Sequence, residues 1–265
     1  MFYAIFLGIF LSSLFPLEAQ QQDKRKALIL VISSDNEKVY RSHKTSWRRY
    51  MHAFSEDFES YFIEFDPQLT TSYKVEGDIL KIQGEESYIP GIFDKTLLAL
   101  KYFEDRFDAF DFVIRPNLSS FLVLSRLKNY LSKQKKENFY AGHPLFYQDY
   151  EAIRGNHLLY ASGACPIFSI DMAKHLIKTG ENLMGKPYGV YYADDLLLGK
   201  VCKEKGVGLT PFYSFYFERF VSPYKVLGSI SQETFHFRIK LNQETRHIFE
   251  RTIHRELYEI FYYQS

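Results

Sequence analysis

The residues with the most chemistry in this chain fall into three short groups. Asp194 and Asp195 are adjacent carboxylates opening a helical pattern, Ala193-Asp194-Asp195-Leu196. A carboxylate at a helix start can serve as a general base, and it can also simply cap the helix. Arg115-Pro116-Asn117 ends a short apolar run, Phe112-Val113-Ile114. The planar fork of an arginine suits phosphate oxygens, and the competing reading is a surface pair with Asp111 or Asp108. Ser162-Gly163-Ala164 is a small-residue break between two apolar segments, where a ligand can approach the backbone or a glycine can serve packing alone.

These groups need elements to hold them. Ala27–Ile32 is an uninterrupted apolar run and predicts a buried first strand, with Ser34 or Asp35 placed to cap the helix that follows. That helix carries Arg41, Trp47, Arg48 and Arg49. Residues 60–65 predict a second strand and 77–82 a short edge element. A helix is expected over 92–107, a strand over Phe112–Ile114, and a second helix over 119–133 from the spacing of Leu122, Leu124, Leu127 and Leu131. Two short strands flank Ser162-Gly163-Ala164. Helices are predicted over 171–178, from Asp194 to about Lys205, and from about Asn242 to Tyr262. Strands alternating with helices argue for an α/β fold with a mainly parallel sheet, and the C-terminal half reads as more mixed. A strand ending abruptly in polar residues places them at the sheet edge where α/β proteins keep their chemistry.

The bulk numbers narrow the classes. The 265 residues carry 33 basic against 32 acidic side chains, a net charge of +1 that gives no support for nucleic-acid binding. Aromatics reach 18%, with 25 Phe and 21 Tyr, enough for an aromatic core and a few stacking platforms. There is no G-x-S-x-G elbow, P-loop, H-E-x-x-H or G-x-G-x-x-G, so the familiar local signatures of hydrolases, NTPases, zincins and dinucleotide enzymes are missing. Cys165 and Cys202 allow one disulfide and do not have zinc-site spacing. Asn117-Leu118-Ser119 matches a glycosylation sequon but is expected to lie buried in a cleft. Met1–Leu17 is apolar, with no charge before Glu18, slightly short of the roughly 20 residues of a comfortable bilayer span. With Ala19 at a cleavage position, residues 1–25 predict a signal peptide or signal-anchor plus a polar spacer, with a cleaved signal favoured over an anchor. Membrane association through residues 1–17, and a place in the secretory pathway (ER or Golgi lumen) or a bacterial envelope, follow from that expectation.

Several segments in order resemble one family. Arg41-Ser-His-Lys-Thr-Ser-Trp47, Gly77-Asp78-Ile-Leu with Thr96-Leu97, Leu159-Tyr-Ala-Ser-Gly-Ala164 with Phe168-Ser169, Ala193-Asp194-Asp195-Leu196…Gly199…Cys202 and His236-Phe-Arg-Ile-Lys240 resemble the motifs of β-1,3-galactosyltransferase-like (Fringe-like) glycosyltransferases. The resemblance spans roughly residues 27–240. It implies a single GT-A-like domain over 26–265, with a nucleotide-sugar half (26–135) and an acceptor half (136–265). It implies a UDP-sugar donor, a glycan or glycoprotein hydroxyl acceptor, and an inverting reaction with Asp195 as base and Asp194 as second choice.

Donor-binding roles then fall to Asp35, Arg41, Arg48, Arg115, Asn117 and His236, and acceptor-side roles to Ser162, Gly163 and Ala164. Capping remains the competing role for Asp35, packing or surface exposure for Arg48, and a structural one for His236. In the family, the strand matching Phe112–Ile114 ends in an acidic DxD triplet that holds a divalent metal. Here Arg115-Pro116-Asn117 stands in that place. A Mn2+ ion is therefore doubtful, with Asn117 and His236 as its ligands if it is kept, and Arg115 is the expected substitute on the diphosphate. A catalytically degenerate relative that binds sugar or protein is the alternative.

Overall fold

The apolar run at Ala27–Ile32 forms the centre of the molecule in the computed structural model, which describes residues 25–148, 157–184, 193–242 and 245–263. Strand β1 (Arg25–Ile32) is flanked in parallel by β2 (Phe58–Asp66) on one side and β5 (Phe110–Ile114) on the other. Every residue from Ala27 to Ile32 is buried, because both faces of the strand are covered. Ala27, Ile29 and Val31 face one core, shared with Trp47, Phe121 and Phe237. Leu28, Leu30 and Ile32 face the other, shared with Phe93, Leu97 and Met172.

Beyond β2 the sheet adds β4 (Ile79–Gln83) in parallel, then β3 (Tyr73–Glu76) antiparallel. Residues 77–82 therefore do not form the edge: β3 lies outside β4 and takes its open hydrogen bonds. Beyond β5 come β10 (Ile167–Ser169), β7 (Tyr140–Gly142) and β11 (Thr210–Pro211). The order β11-β7-β10-β5-β1-β2-β4-β3 gives eight strands, of which β10 and β3 run against the rest. This is the mixed, mainly parallel α/β sheet flanked by helices that the alternation predicts.

Helix α1 (Lys38–Trp47) follows β1 and packs beside the C-terminal helix α7 (Arg246–Phe261). Its N-terminus has no side-chain cap; Ser34 and Asp35 do not perform the expected capping, and Asp35 pairs with Lys44 at 2.5 Å. On the opposite face, α2 (Gly91–Phe103) packs with α4 (Ile170–Gly180) and α5 (Asp194–Glu204). Helix α5 stops where Gly206 takes φ of 78°, a left-handed turn that glycine adopts without strain.

The stretch after Asn117 departs from the expected helix. Ser120–Leu122 is strand β6, and helix α3 covers only Leu124–Leu131. β6 pairs with β13 (His236–Ile239), which pairs with β12 (Phe215–Phe217), forming a small second sheet. A long-range partner decided this segment: Leu122 fits the helical spacing, but β13 offers Ser120–Leu122 a ladder. An antiparallel pair of β8 (Pro144–Gln148) and β9 (His157–Ala161), and a short helix α6 (Pro223–Val226), lie beside these elements.

Both cysteines are free. Cys165 lies in one core and Cys202 in the other, on opposite faces of the sheet, so no disulfide joins them. Burial pushes both thiols up, which keeps them protonated. No helix among the described residues is long and apolar enough to cross a membrane. Of the signal and spacer expected over residues 1–25, residues 1–24 lie outside the described residues.

Candidate active site

The strand order reverses between β1 and β5, since β1 leads to β2 on one side while β5 lies on the other. In open α/β sheets the crevice beyond the strand ends at such a point is the usual ligand site. A cavity of about 550 Å3 opens there. Ile32, Ser33 and Ser34 from the end of β1 line it, and so do Arg115 and Asn117 from the end of β5.

The backbone at Arg115-Pro116-Asn117 is threaded between β1 and the loop before β10. The Arg115 amide donates to the Pro166 carbonyl at 2.9 Å and the Asn117 amide to the Ala164 carbonyl at 3.1 Å. The Pro116 carbonyl accepts from the Ile32 amide at 2.8 Å, and the Ile32 carbonyl takes the Leu118 amide at 3.2 Å. Neighbouring residues supply every donor this short ladder uses, so a residue without an N–H sits at 116 at no loss.

Arg115 does not reach a surface carboxylate. Asp111 pairs instead with Lys136 at 2.8 Å. The Arg115 side chain, 2% exposed, donates from Nη2 to Asp194 Oδ2 at 2.6 Å and from Nη1 to the Gly163 carbonyl at 3.1 Å. One guanidinium thus ties together all three sequence groups that opened the analysis. Asp195 accepts the Gly163 amide on Oδ2 at 3.0 Å and the Leu196 amide on Oδ1 at 2.9 Å. Burial raises the Asp195 pKa, and Asp194 raises it further; the Gly163 amide, Arg115 and the Leu196 amide act against this. Asp194 is engaged by a cation, whereas Asp195 is held only by backbone amides and has a carboxyl shifted toward neutral pH. A Cβ at Gly163 would stand 3.3 Å from Asp195 Cβ and 3.4 Å from Asp194 Oδ2. Glycine at 163 lets the loop lie against both carboxylates.

The opposite wall is cationic. Arg238 and Lys240 from β13 and its end, and Arg246 from α7, line the cleft. The Arg238 Nη1 donates to Asn117 Oδ1, and Arg246 pairs with Glu37 at 2.9 Å. Below them Lys95, 1% exposed, donates to the Ser33 carbonyl at 2.9 Å and to Glu86 at 2.5 Å and 2.6 Å. Burial lowers the Lys95 pKa while Glu86 raises it. These cations escaped the sequence reading. Strand alternation in Phe235-His236-Phe237-Arg238-Ile239-Lys240 places Arg238 and Lys240 on one face, a signal that was present and not used.

The remaining residues expected in the site lie elsewhere. His236 is 1% exposed and does not line the cleft; its Nδ1 meets Ser214 Oγ at 2.5 Å and its Nε2 meets Ser120 Oγ at 2.9 Å. Burial takes its pKa down to about 3, consistent with a neutral structural imidazole between two hydroxyls. Asp35 points to Lys44, while its neighbours Ser34 and Asn36 line the cleft. Arg41 borders a different recess and donates to the Asp35 carbonyl at 3.0 Å. Arg48 is bound through two hydrogen bonds, 2.7 and 2.8 Å, to Asp78. Ser162, Gly163 and Ala164 do line the cleft.

The donor set as it stands does not fit a divalent ion. Asn117 Oδ1 already accepts from Ser119 Oγ at 2.9 Å, from Ser120 Oγ at 3.2 Å and from Arg238. Asp194 is paired with a cation, and no group of three or more metal-ligating side chains occurs among the described residues.

No protein-family model matches the sequence, and no curated protein matches it. Solved structures do. The fold is that of a glycosyltransferase involved in the glycosylation of the major capsid of PBCV-1, at a TM-score of 0.53, 10% identity, and coverage of 85% of this chain and 98% of that one. Weaker likenesses, at TM-scores of 0.42 and 0.40, are to 4-diphosphocytidyl-2C-methyl-D-erythritol synthase of Anaerococcus prevotii and 2-C-methyl-D-erythritol 4-phosphate cytidylyltransferase of Francisella tularensis. The first is 12% identical and covers 86% of this chain and 95% of that one; the second is 10% identical and covers 71% and 90%. The chain thus has the α/β, GT-A-like fold, with its cleft at the switch point.

Proposed function

We propose that this protein is a glycosyltransferase that moves a sugar from a nucleotide-sugar, a UDP-sugar by its Fringe-like motifs, to a hydroxyl of a glycan or glycoprotein. The observation that carries this reading is the Arg115–Asp194–Gly163–Asp195 cluster at the switch point of a GT-A-like sheet. The acceptor O–H gives its proton to Asp195 as its oxygen bonds to the anomeric carbon, and the bond from that carbon to the diphosphate breaks with its electrons on the diphosphate. A base with a raised pKa is better matched to such a transfer near neutral pH than an ordinary aspartate. Single displacement of this kind inverts the anomeric centre.

The charge gathering on the leaving diphosphate must be met by fixed cations. Arg238, Lys240 and Arg246 face the cleft, and Arg115 contributes from its base. Arg115 is partly committed to Asp194 and Gly163, so the wall cations carry more of this role than Arg115 alone does. Ser162, Gly163 and Ala164 form the floor on the acceptor side, beside the base.

The test is turnover and donor binding across a panel of UDP-sugars, with manganese and then with chelator. Asp195→Asn should reduce transfer by about 100-fold or more, the scale of a positioned base, while the donor still binds. Full turnover in that variant would remove Asp195 from the mechanism. The mutual neutralisation of Arg115 and Asp194 favours one second reading, a relative that binds sugar without transferring it. Donor binding with neither transfer nor hydrolysis in the unaltered protein would establish that instead.

A further inference from the structure

A second recess of about 510 Å3 lies between α1 and α7, and its chemistry is unlike that of the cleft. Lys38 and Arg41 line it from α1, Arg49 from the turn that follows α1, and Arg251 and Arg255 from α7; no carboxylate among the described residues lines it. The spacing 38, 41 keeps the first two on one face of α1, and 251, 255 does the same on α7. Two cationic faces have therefore been packed against each other. Like charges held this close repel, and folds ordinarily intersperse acids to relieve it.

Little relief is present. Arg255 meets Glu259 only at 3.7 Å, Arg49 lies over the Tyr258 ring at 5.9 Å, and Arg41 donates to a backbone carbonyl. Lys38 and Arg251 have no partner among the described residues.

A second, independent observation points to a ligand. His254 lines the same recess, is 1% exposed, and neither of its ring nitrogens has a hydrogen-bond partner among the described residues. The buried Ser42 hydroxyl, also on the lining, is equally without one. Buried polar groups are nearly always satisfied, so unsatisfied ones on the wall of a recess mark where a bound molecule would supply the partner.

We infer that the α1/α7 groove is a binding site for a soluble, multiply phosphorylated ligand. Guanidinium forks suit phosphate oxygens, and the unpartnered Ser42 hydroxyl adds a neutral donor. Among the described residues no aromatic side chain other than His254 lines the groove, so a stacked base has no platform there. A flat membrane surface would leave the recess unfilled, whereas a compact oligophosphate reaches its inner wall. His254 packs tilted against His43 with centroids 4.8 Å apart, and His43 lines the cleft, so the two recesses share this buried pair as a partition.

The experiment titrates sodium tripolyphosphate into the full chain by calorimetry, beside a variant carrying Lys38→Glu and Arg251→Glu. Both side chains are exposed, so the fold should tolerate the changes. The expected result is tripolyphosphate binding that weakens at least tenfold in the variant and falls with added salt, while UDP binding is unchanged. Equal binding in both proteins would place the probe in the cleft and overturn the inference. So would an absence of binding, or binding to phosphatidylserine vesicles with none to tripolyphosphate.

Discussion

The cleft and the α1/α7 groove have nearly the same volume, about 550 and 510 Å3, and treat charge in opposite ways. In the cleft several charges are matched by a partner of opposite sign: Arg115 with Asp194, Lys95 with Glu86, Arg246 with Glu37. In the groove five cations stand together without a carboxylate on the lining. A compensated site can be rigid and preorganised while empty, and its reactivity lies in small imbalances such as the raised Asp195. An uncompensated site gains stability when it is filled. Chemistry is expected of the first and simple binding of the second.

That contrast can be broken most severely at Asp194. Asp194→Ala leaves the Arg115 guanidinium buried without its counter-charge, and removal of one partner of a buried pair typically costs about 3–5 kcal/mol. Because Asp194 is 14% exposed, the lower end of that range is expected in urea unfolding, together with loss of transfer. An unfolding midpoint equal to the parent's would mean that solvent already satisfies Arg115. Neutralising one groove cation should, by contrast, leave the midpoint unchanged or raise it.

Acid should separate the regions next. His43 and His236 have pKa values lowered from 6.5 to about 3 by burial, and His254 is lowered for the same reason. All three are neutral in the folded protein at pH values where the unfolded chain takes up their protons. Their stabilisation is therefore complete above about pH 6.5 and is lost as pH falls toward 3, by up to about 1.4 kcal/mol per pH unit for each histidine. Asp195 and Glu250, both raised by burial, bind protons more readily when folded and push the other way, so the net slope is smaller. Urea midpoints at pH 7.5, 6 and 5 should fall in that order, and a flat series would show that the histidines are not held neutral. Filling the groove with an anion should soften the fall, since His254 forms part of its wall.

Gly163→Ala is the gentlest probe. The added methyl meets Asp195 and Asp194 at 3.3–3.4 Å, so both carboxylates must shift by a few tenths of an ångström. Transfer should drop about tenfold with stability nearly unchanged, because misplacement of catalytic groups acts on rate before it acts on folding. Unchanged kcat would show that the base tolerates displacement.

The parts legible in the sequence are those set by local pattern. The Ala27–Ile32 run could only be a strand covered on both faces, and the Asp194 helix and its Gly206 stop followed from spacing and turn chemistry. The errors came where a distant partner decided the outcome. Ser120–Leu122 became a strand because β13 pairs with it, and residues 77–82 lost their edge position to β3. The Arg115–Asp194 pair joins residues 79 positions apart, a separation over which spacing says nothing. The expected roles of Arg41 and Arg48 in the donor site assumed that their helix turns that face to the cleft, but Asp78 and the α7 contact direct them elsewhere.

The threading of Asn117 against Arg238, 121 residues later, has a consequence in time. A chain emerging from the ribosome presents Arg115 long before Asp194 and Arg246 exist. At roughly 5–20 residues per second, the gap from Arg115 to Arg246 takes on the order of ten seconds to synthesise. For the first 79 residues of that interval the end of β5 carries a cation without its counter-charge, and the cationic wall of the cleft follows later still. The cleft is thus complete only once α7, which brings Arg246 to its wall, has been synthesised.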